Sequence, residues 1–559
     1  MERRGLIGVA LAVIALLLLA PAPASAAVGD LEFISRDDNG LAANDDAGVP
    51  VVSDDGNLVA FWSFATNLVP GATGGQVFLR DVNTGTIFLI SRASLAQGNT
   101  PANASSDEPD ITGDGRFVVF QSNATNLSSL APTSGTTRAY IRDRQSNVTS
   151  LVSVKNDGVS SAGGIDPAIT PDGRFVAFES GSSGIGDVNG TNTDDIIVRD
   201  LQLGTNVTAS QAGGVAGDDA SGDPTISDDG RFVAFYSKAD NLSNLDDNTK
   251  RNVFVRDLQT GTTTLVSRQS DADGGAGANG DSDDPVISGN GRFVAFTSDA
   301  SNLGANGTIE QVFVRDLQTN TTTLVSRQSD ADGGAIDNKP STFPSSGDLA
   351  ISDDGRYVVF DSIGTNLSTE DQDAFSEPYV RDTVAGTTTL VAKQSPADGG
   401  AGASGNTVWQ SDISGDGRWV VFDSLGGNLS SSDLDGTDDV FRMDYLGPTA
   451  DDPDTTGPNL HARKKGKAKA GKALKIVVSS DEAATVEAAA TARAGKKKVK
   501  FKSASGSVAA GGSITLKLKL AKRPAKLLKR AGKGKAKVVV TATDGSGNES
   551  TDPLKVKLK

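Results

Sequence analysis

The chain contains no cysteine and a single histidine, His461, among its 559 residues. It therefore has no disulfide framework, no thiol nucleophile and no zinc site of the usual Cys and His type. A Ser-His-Asp triad is excluded from everything before residue 461. Because carboxylates are almost the only candidate catalytic groups, the sequence predicts a protein that is not an enzyme.

Long apolar runs are also lacking after the N-terminus. Arg3 and Arg4 precede an apolar run at 6–20, and Ala-Ser-Ala at 24–26 is typical of a signal-peptidase site. The run is shorter than the roughly 20 residues that a bilayer span needs. We therefore predict a signal peptide at 1–26 and a mature monomer that is secreted or associated with the cell envelope, without a transmembrane span.

A phrase that returns seven times dominates what is present. Its clearest copy is Ile-Ser-Gly-Asn-Gly-Arg-Phe-Val-Ala-Phe-Thr-Ser at 287–298, followed by Val-Phe-Val-Arg-Asp at 312–316 and Thr-Thr-Thr-Leu-Val-Ser-Arg at 321–327. The turn glycines of the copies recur every 57 to 64 residues, at Gly56, Gly115, Gly173, Gly230, Gly291, Gly355 and Gly417. A unit of this size cannot bury its apolar residues alone and must pack on its neighbours.

Each repeat predicts four strands, with Asp-Gly or Asn-Gly in the turn between the first two. The second strand is apolar at nearly every position, which is typical of a propeller blade covered on both faces. The seventh repeat ends without a fourth strand, and Leu-Glu-Phe-Ile-Ser-Arg at 31–36 matches the missing piece. We therefore predict an all-β fold, a seven-bladed β-propeller of four-stranded blades closed by the N-terminal strand, because an open array would leave unpaired edges.

The same phrase resembles the WD-repeat-like propeller repeats of TolB-type proteins. The resemblance runs from Leu31 to Leu446 and recurs in every repeat. It implies the propeller fold and no particular function. TolB itself has six blades and an N-terminal α/β domain, and this sequence predicts neither, so a TolB-like role in the Tol–Pal envelope system is not implied.

Charge separates the chain into two parts. Residues 27–446 hold 25 Lys and Arg against 60 Asp and Glu, a net charge of −35, whereas residues 459–559 hold 26 against 6, a net charge of +20. The segment 447–458 between them is rich in Pro, Gly and Asp, as extended linkers are. We therefore predict a propeller at 27–446, a linker at 447–458 and a basic domain at 459–559.

The basic domain alternates apolar and polar residues at 473–480, 513–520, 536–544 and 553–558, as half-buried strands do, and a short helix is predicted at 524–530. Its segment 541–550, Thr-Ala-Thr-Asp-Gly-Ser-Gly-Asn-Glu-Ser, resembles the closing hairpin of bacterial immunoglobulin-like modules, which implies a small β-sandwich. Phe501 is its one aromatic residue, too few for base stacking. We expect an anionic envelope polymer as its partner, not nucleic acid.

Two long loops carry oxygen-bearing side chains at a spacing that suits calcium. The candidate ligands are Asp187, Asn189, Asp194, Asp433, Asp435 and Asp439. Neither loop has the bidentate glutamate that closes an EF-hand. The alternative stays open that these are ordinary turn residues of an acidic chain. Calcium is the one cofactor that the sequence suggests.

Antiparallel strands place the second-to-third and blade-to-blade loops on one face of the predicted ring, where the long loops gather. The sequence predicts a secreted, non-enzymatic binding protein that uses this loop face to bind a protein or a polysaccharide. The alternative is an extracellular carbohydrate-active enzyme, a glycosidase or lyase, with carboxylates at the channel mouth. The near-identity of the repeats favours binding, since an active site is expected to break the repeat locally.

Overall fold

The computed structural model describes residues 31–446 and 460–558 apart from a set of internal gaps. The gaps are 131–134, 187, 189–192, 246–249, 305–308, 335, 338–348, 369–374, 395–401, 406–409, 431–435, 466–467, 481–483, 495–496, 509–512, 533 and 545–548. Within the described part, one compact unit lies in Ala26–Pro448 and a second in Thr449–Lys559. No helix of the described residues is long and apolar enough to cross a membrane.

The first unit is all-β and contains seven four-stranded antiparallel sheets. Strand β1 (Leu31–Phe33) comes first along the chain and belongs to the last sheet. Sheet 1 consists of β2 (Ala47–Val52), β3 (Leu58–Ser63), β4 (Gln76–Asp81) and β5 (Thr86–Leu89), and sheet 2 of β6 (Ser106–Ile111), β7 (Phe117–Ser122), β8 (Arg138–Asp143) and β9 (Val148–Leu151). Sheet 3 consists of β10 (Ile165–Ile169), β11 (Phe175–Ser180), β12 (Asp195–Asp200) and β13 (Thr205–Thr208).

The remaining sheets follow the same order. A two-stranded hairpin of β14 (Gln211–Ala212) and β15 (Val215–Ala216) precedes sheet 4, which consists of β16 (Ser221–Ile226), β17 (Phe232–Ser237), β18 (Asn252–Asp257) and β19 (Thr262–Leu265). Sheet 5 consists of β20 (Ser282–Ile287), β21 (Phe293–Ser298), β22 (Gln311–Asp316) and β23 (Thr321–Leu324). Sheet 6 consists of β24 (Leu349–Ile351), β25 (Tyr357–Ser362), β26 (Glu377–Asp382) and β27 (Thr387–Leu390). Three short 3₁₀ helices lie at Leu95–Gln97, Asp271–Asp273 and Asp330–Asp332.

Sheet 7 joins the two ends of the unit. It consists of β28 (Ser411–Ile413), β29 (Trp419–Ser424), β30 (Asp439–Asp444) and the N-terminal β1. Leu31 lies opposite Met443 and Phe33 opposite Phe441 in an antiparallel register. The N-terminal strand is therefore the fourth strand of the last sheet.

Apolar clusters lie between successive sheets. The fourth residue of every second strand is a phenylalanine without solvent exposure, at Phe61, Phe120, Phe178, Phe235, Phe296, Phe360 and Phe422. One cluster joins Val59 and Phe61 of sheet 1 to Trp419, Val421 and Val440 of sheet 7. Burial on both faces explains why the second strands are almost continuously apolar.

An ion pair recurs at one edge of six sheets. The arginine after each tight turn bonds the aspartate that ends the third strand, with N–O distances of 2.6 to 2.9 Å, at Arg116, Arg174, Arg231, Arg292, Arg356 and Arg418. Each guanidinium also lies over the ring of the next residue, 4.6 to 4.8 Å from its centroid. The arginines of the Val-Arg-Asp phrase bond mainly loop carbonyls and the fourth strand, as Arg315 does with Gln269 O (2.9 Å) and Thr322 Oγ1 (3.0 Å).

In its described residues, the second unit contains two antiparallel sheets and one helix. Strands β31 (Leu460–Lys464), β32 (Leu474–Ser480) and β36 (Ser513–Leu518) form one sheet. Strands β33 (Ala484–Ala494), β34 (Lys497–Lys500), β35 (Ala504–Val508), β37 (Gly534–Asp544) and β38 (Glu549–Leu558) form the other. Helix α1 (Lys522–Ala531) lies where a short helix is predicted. Apolar residues of both sheets, among them Ile476, Leu518, Val538 and Val540, share one core.

Candidate active site

A strained position recurs in the first strand of five sheets. In each of these strands the pairing register shifts across a proline and the residue before it. That preceding residue has a φ between 46° and 53°, at Val49, Glu108, Asp166, Asp223 and Asp284. Residues other than glycine rarely adopt this conformation, and such strain concentrates at functional sites. Four of these five residues carry a carboxylate.

The strained carboxylates line a cavity of about 300 Å³ that residues of sheets 1 to 7 enclose. Among the described residues that line the cavity, six are acidic and none is basic: Glu108, Asp110, Asp166, Asp223, Asp284 and Asp412. Two of the six have a structural role, because Asp110 accepts a hydrogen bond from Ile169 N (2.7 Å) and Asp412 accepts one from Val52 N (2.9 Å). These two bonds join the first strands of sheets 2 and 3 and of sheets 7 and 1.

Within the second strand, the repeat changes most at the fifth residue. Across the seven sheets this residue is Trp62, Gln121, Glu179, Tyr236, Thr297, Asp361 and Asp423. In sheets 1 to 5 it faces the first strand just before the bulge, as Glu179 faces Ile165 and Tyr236 faces Gly222. The repeats therefore differ from one another at a position beside the strained carboxylates. A local difference of this kind is what we expect at an active site.

Gly222 leaves room for two of these side chains. A Cβ built on Gly222 would lie 2.6 Å from the Tyr236 hydroxyl and 2.8 Å from Glu179 Oε2. The hydroxyl and the carboxylate therefore converge at the backbone of the residue that precedes Asp223. Arg251 holds Asp283 at 3.0 Å and lies 5.7 Å from the Tyr236 ring centroid, so its charge is already paired.

Burial and mutual repulsion raise the pKa values of these carboxyls by different amounts. Burial, followed by Asp107, raises the pKa of Asp166 to about 6. Burial, followed by the charges of Asp166, Asp194 and Asp223, raises the pKa of Glu179 to about 8. Burial and neighbouring carboxylates also raise the pKa of Glu108 and of Asp223 to about 8. The pKa of Asp166 is thus raised less than the pKa values of Glu108, Glu179 and Asp223, so Asp166 ionises first among these four.

Tyr236 stays protonated in this surrounding. Burial, followed by the charges of Asp223 and Glu179, raises the pKa of its phenol. A phenol of raised pKa donates hydrogen bonds and does not act as a base at neutral pH. The site therefore lacks the tyrosinate base that a lyase could use.

An aromatic pair stands at the equivalent place in sheet 1. Trp62 and Phe64 pack edge to face with centroids 4.6 Å apart, and Phe64 is 43% exposed. Trp62 faces Gly48, the position that Gly222 occupies in sheet 4. An exposed aromatic surface beside polar groups is well suited to the apolar face of a sugar ring.

The predicted calcium ligands lie mostly outside the described residues, among them Asp187, Asn189, Asp433 and Asp435. Asp194 is exposed, and buried Asp439 accepts a hydrogen bond from Ser35 Oγ at 2.5 Å. Within the described ranges, no group of three or more metal-binding side chains is arranged to hold a metal ion. Calcium stays a prediction.

The comparisons with known proteins bear on the fold. No protein-family model and no curated protein matches the sequence. Among similar solved structures, a prolyl endopeptidase is 13% identical with a TM-score of 0.41, over 78% of this chain and 54% of its own. A TolB structure from Agrobacterium tumefaciens is 15% identical with a TM-score of 0.34, over 64% of this chain and 94% of its own. The GH74 enzyme of Niastella koreensis is 10% identical with a TM-score of 0.38, over 94% of this chain and 73% of its own.

These comparisons correct the expectation of a non-enzymatic binding protein. The expectation is wrong because the similar solved structures are mostly enzymes, namely prolyl endopeptidases, other peptidases and the GH74 enzyme. The chain spans about half the length of the prolyl endopeptidase. At such identities the likeness concerns the fold alone, so the chemistry of this chain is argued from its own residues.

Sequence reasoning missed the carboxylates of the cavity although a signal was present. Glu108-Pro, Asp166-Pro, Asp223-Pro and Asp284-Pro each stand shortly before the tight turn of a repeat. An acidic residue before proline reads as an ordinary turn signal. Only the structure shows that these residues meet in one cavity.

Proposed function

We propose that the chain is an extracellular glycoside hydrolase whose active site is the carboxylate cavity beside sheets 2 to 5. The observation that carries the proposal is the position of Glu179, whose Oε2 lies with the Tyr236 hydroxyl against the backbone of Gly222, next to the cavity that Asp166 and Asp223 line. Burial and neighbouring charges raise the pKa of Glu179 to about 8 and that of Asp166 to about 6, so Glu179 is the better proton donor of the two. Glycoside hydrolysis needs one carboxylic acid and one carboxylate at the same bond. Peptide hydrolysis by a Ser-His-Asp triad has no support in the first unit, because the chain's single histidine is His461.

The two carboxyls divide the reaction between them. Glu179 gives its proton to the glycosidic oxygen as the bond to the anomeric carbon breaks. Asp166 takes a proton from the water that attacks that carbon, so one water is consumed for each bond cleaved. Solvent then returns the proton from Asp166 to Glu179. Tyr236, held protonated beside Glu179, donates a hydrogen bond to the sugar or to the departing oxygen.

The test is a measurement of reducing ends released from neutral, acetylated and amino-sugar glycans. Glu179→Gln and Asp166→Asn are each expected to lower kcat by about 100-fold or more, with wild-type activity greatest between pH 6 and 8. The first variant is matched to the fold, because sheet 2 already carries Gln121 at this place. Glu487→Gln in the second unit is the control. Full activity in both variants, or cleavage of peptides and of no glycan, would overturn the proposal.

The proposed architecture is a closed ring of seven blades. The pairing of β1 with β30, the Val52–Asp412 hydrogen bond and the apolar cluster between sheets 7 and 1 support it. We place the signal peptide at 1–26, the ring at 27–446, the linker at 447–458 and an immunoglobulin-like sandwich at 459–559. N-terminal sequencing of the secreted protein tests the first boundary, since it should begin at Ala27.

The basic second unit is proposed to attach the enzyme to an anionic polymer of the cell envelope. Lysines stand on exposed positions of strands in both sheets, among them Lys498, Lys517, Lys535 and Lys557. Phosphate-rich polymer should retain residues 459–559 at low salt and release them as salt screens the charges. Retention that salt does not change would contradict this attachment.

A further inference from the structure

The cavity is far more acidic than a glycoside hydrolase needs. Two carboxyls suffice for the reaction, yet six acidic residues line the cavity and no described lining residue is basic. Two nearby cations are already engaged: Arg251 with Asp283 at 3.0 Å and Lys250 with Asp281 at 3.9 Å. The lining can carry charge of one sign only, and a cationic ligand would favour the ionised form of its carboxyls.

Three of the lining carboxylates have no protein partner. Asp110, Asp412 and Asp284 accept hydrogen bonds from Ile169, Val52 and Thr297. Glu108, Asp166 and Asp223, in contrast, accept no side-chain hydrogen bond from the described part of the chain, and all three are half-buried residues that line the cavity. Their carboxyl groups are therefore accessible to a ligand in the cavity and are not already engaged by the protein.

We propose that the glycan bound here carries free amino groups, so that the proposed hydrolase acts on a polymer of amino sugars and Glu108 and Asp223 bind its ammonium groups. The inference rests on the proposed function for the cleavage step and on the unpartnered carboxylates for the charge. An ammonium group supplies three hydrogen-bond donors and a positive charge, which is what the cavity lacks.

Binding should release protons. Burial and neighbouring carboxylates keep Glu108 and Asp223 protonated at pH 7, since the pKa of each is raised to about 8. An ammonium beside them favours the ionised form, so on the order of one proton should leave for each site that binds. A neutral sugar has no such effect. Calorimetry in two buffers of different ionisation enthalpy measures this release directly.

The experiment compares glucosamine hexamer, N-acetylglucosamine hexamer and cellohexaose on the full mature chain. We expect glucosamine hexamer to bind at least about 10-fold more tightly than the others, with proton release, and to weaken as salt rises. Glu108→Gln should lower this preference by about 5-fold or more, and the control Glu487→Gln should leave it unchanged. A melting curve checks that each variant folds.

The outcomes separate this inference from the proposed function. Equal affinity for the three oligomers, or a preference that Glu108→Gln leaves intact, overturns the amino-sugar inference. If cellohexaose is then cleaved in a way that depends on Glu179 and Asp166, the proposed hydrolase activity is supported without the amino-sugar preference. If glucosamine hexamer binds with proton release and no glycan is cleaved, the proposed hydrolase activity is wrong. A lysine-rich peptide that binds as tightly as glucosamine hexamer overturns the assignment to a sugar.

Discussion

At the scale of single residues, the proposed site depends on Gly222 having no side chain. Gly222 has an ordinary negative-φ backbone, so alanine is compatible with its conformation. The added methyl would overlap the Tyr236 hydroxyl and Glu179 Oε2, both of which are the mobile ends of side chains. The fold can accommodate this displacement, whereas a catalytic geometry cannot.

We therefore expect Gly222→Ala to lower kcat by about 10- to 100-fold with little change in melting temperature. The control is Gly427→Ala, because a Cβ at Gly427 meets nothing within 4 Å. Equal loss of activity in both variants, or a melting temperature that falls only in Gly222→Ala, would show that the glycine serves the fold.

The strained carboxylates should cost stability at high pH. Burial, followed by the charges of Asp284, Asp166 and Asp283, raises the pKa of Asp223 to about 8. The folded state thus binds this proton more tightly than the unfolded state, so stability is full at low pH and is lost as pH rises towards 8. Asp223→Asn removes the ionisable group and its repulsion.

We expect Asp223→Asn to melt higher than wild type at pH 9, by on the order of 2 °C, and to differ little at pH 5. The exposed variant Asp240→Asn serves as the control, because its carboxylate lies on the surface. A melting difference that is the same at both pH values would contradict the assigned cause. The higher melting temperature of Asp223→Asn should be accompanied by weaker glycan binding, because residues that serve function often lower the stability of the fold.

At the scale of elements, sheet 1 has no arginine at the position that forms the edge ion pair in the other six sheets. Six sheets carry arginine after the tight turn, whereas sheet 1 has Asn57, which is half-buried and donates its side-chain amide to Asp55 Oδ2 at 2.8 Å. The register of Leu58 opposite Asp81 equals that of Phe117 opposite Asp143 in sheet 2. An arginine at position 57 would therefore find an aspartate at the distance that the other sheets use.

Asn57→Arg is expected to raise the melting temperature, by about 1 to 2 °C, because exposed pairs contribute little. The reverse exchange, Arg116→Asn in sheet 2, should lower it by a similar or larger amount, since that arginine also covers Phe117. Calorimetric melting at low and high salt is the measurement. Two changes of the same sign would refute the equivalence of the two places.

Strands and their order were accessible from the sequence, because turn glycines and apolar runs repeat in every copy. The helix in the second unit was also predicted, from Pro524 onwards. The alanine-rich strand β33 was missed, because alanine and threonine carry too weak an apolar period to indicate a strand. Glu108 and Asp166 were not singled out from the sequence, since nothing in a single repeat shows that copies from different sheets meet in one cavity.

At the scale of the whole molecule, the predicted calcium loops give a simple test. If calcium binds at the loops of Asp187 and Asp433, chelation should lower the melting temperature of the first unit, because a ligand that binds only the folded state stabilises it. Asp194→Asn is expected to weaken the effect. Melting curves with and without chelator that coincide would end the calcium prediction and leave these residues as turn formers.

The strand that completes sheet 7 also sets an order of events. Ser35 and Asp439, which hydrogen-bond to each other, are 404 positions apart in the chain. Contacts of such separation form late, because the long intervening loop must first be closed. The first strand of the unit can therefore pair only after β30, the last strand of the same unit, has been synthesised. Until then both ends of the unit lack their partner, so a chain that stops before residue 439 would leave β1 without a strand to complete.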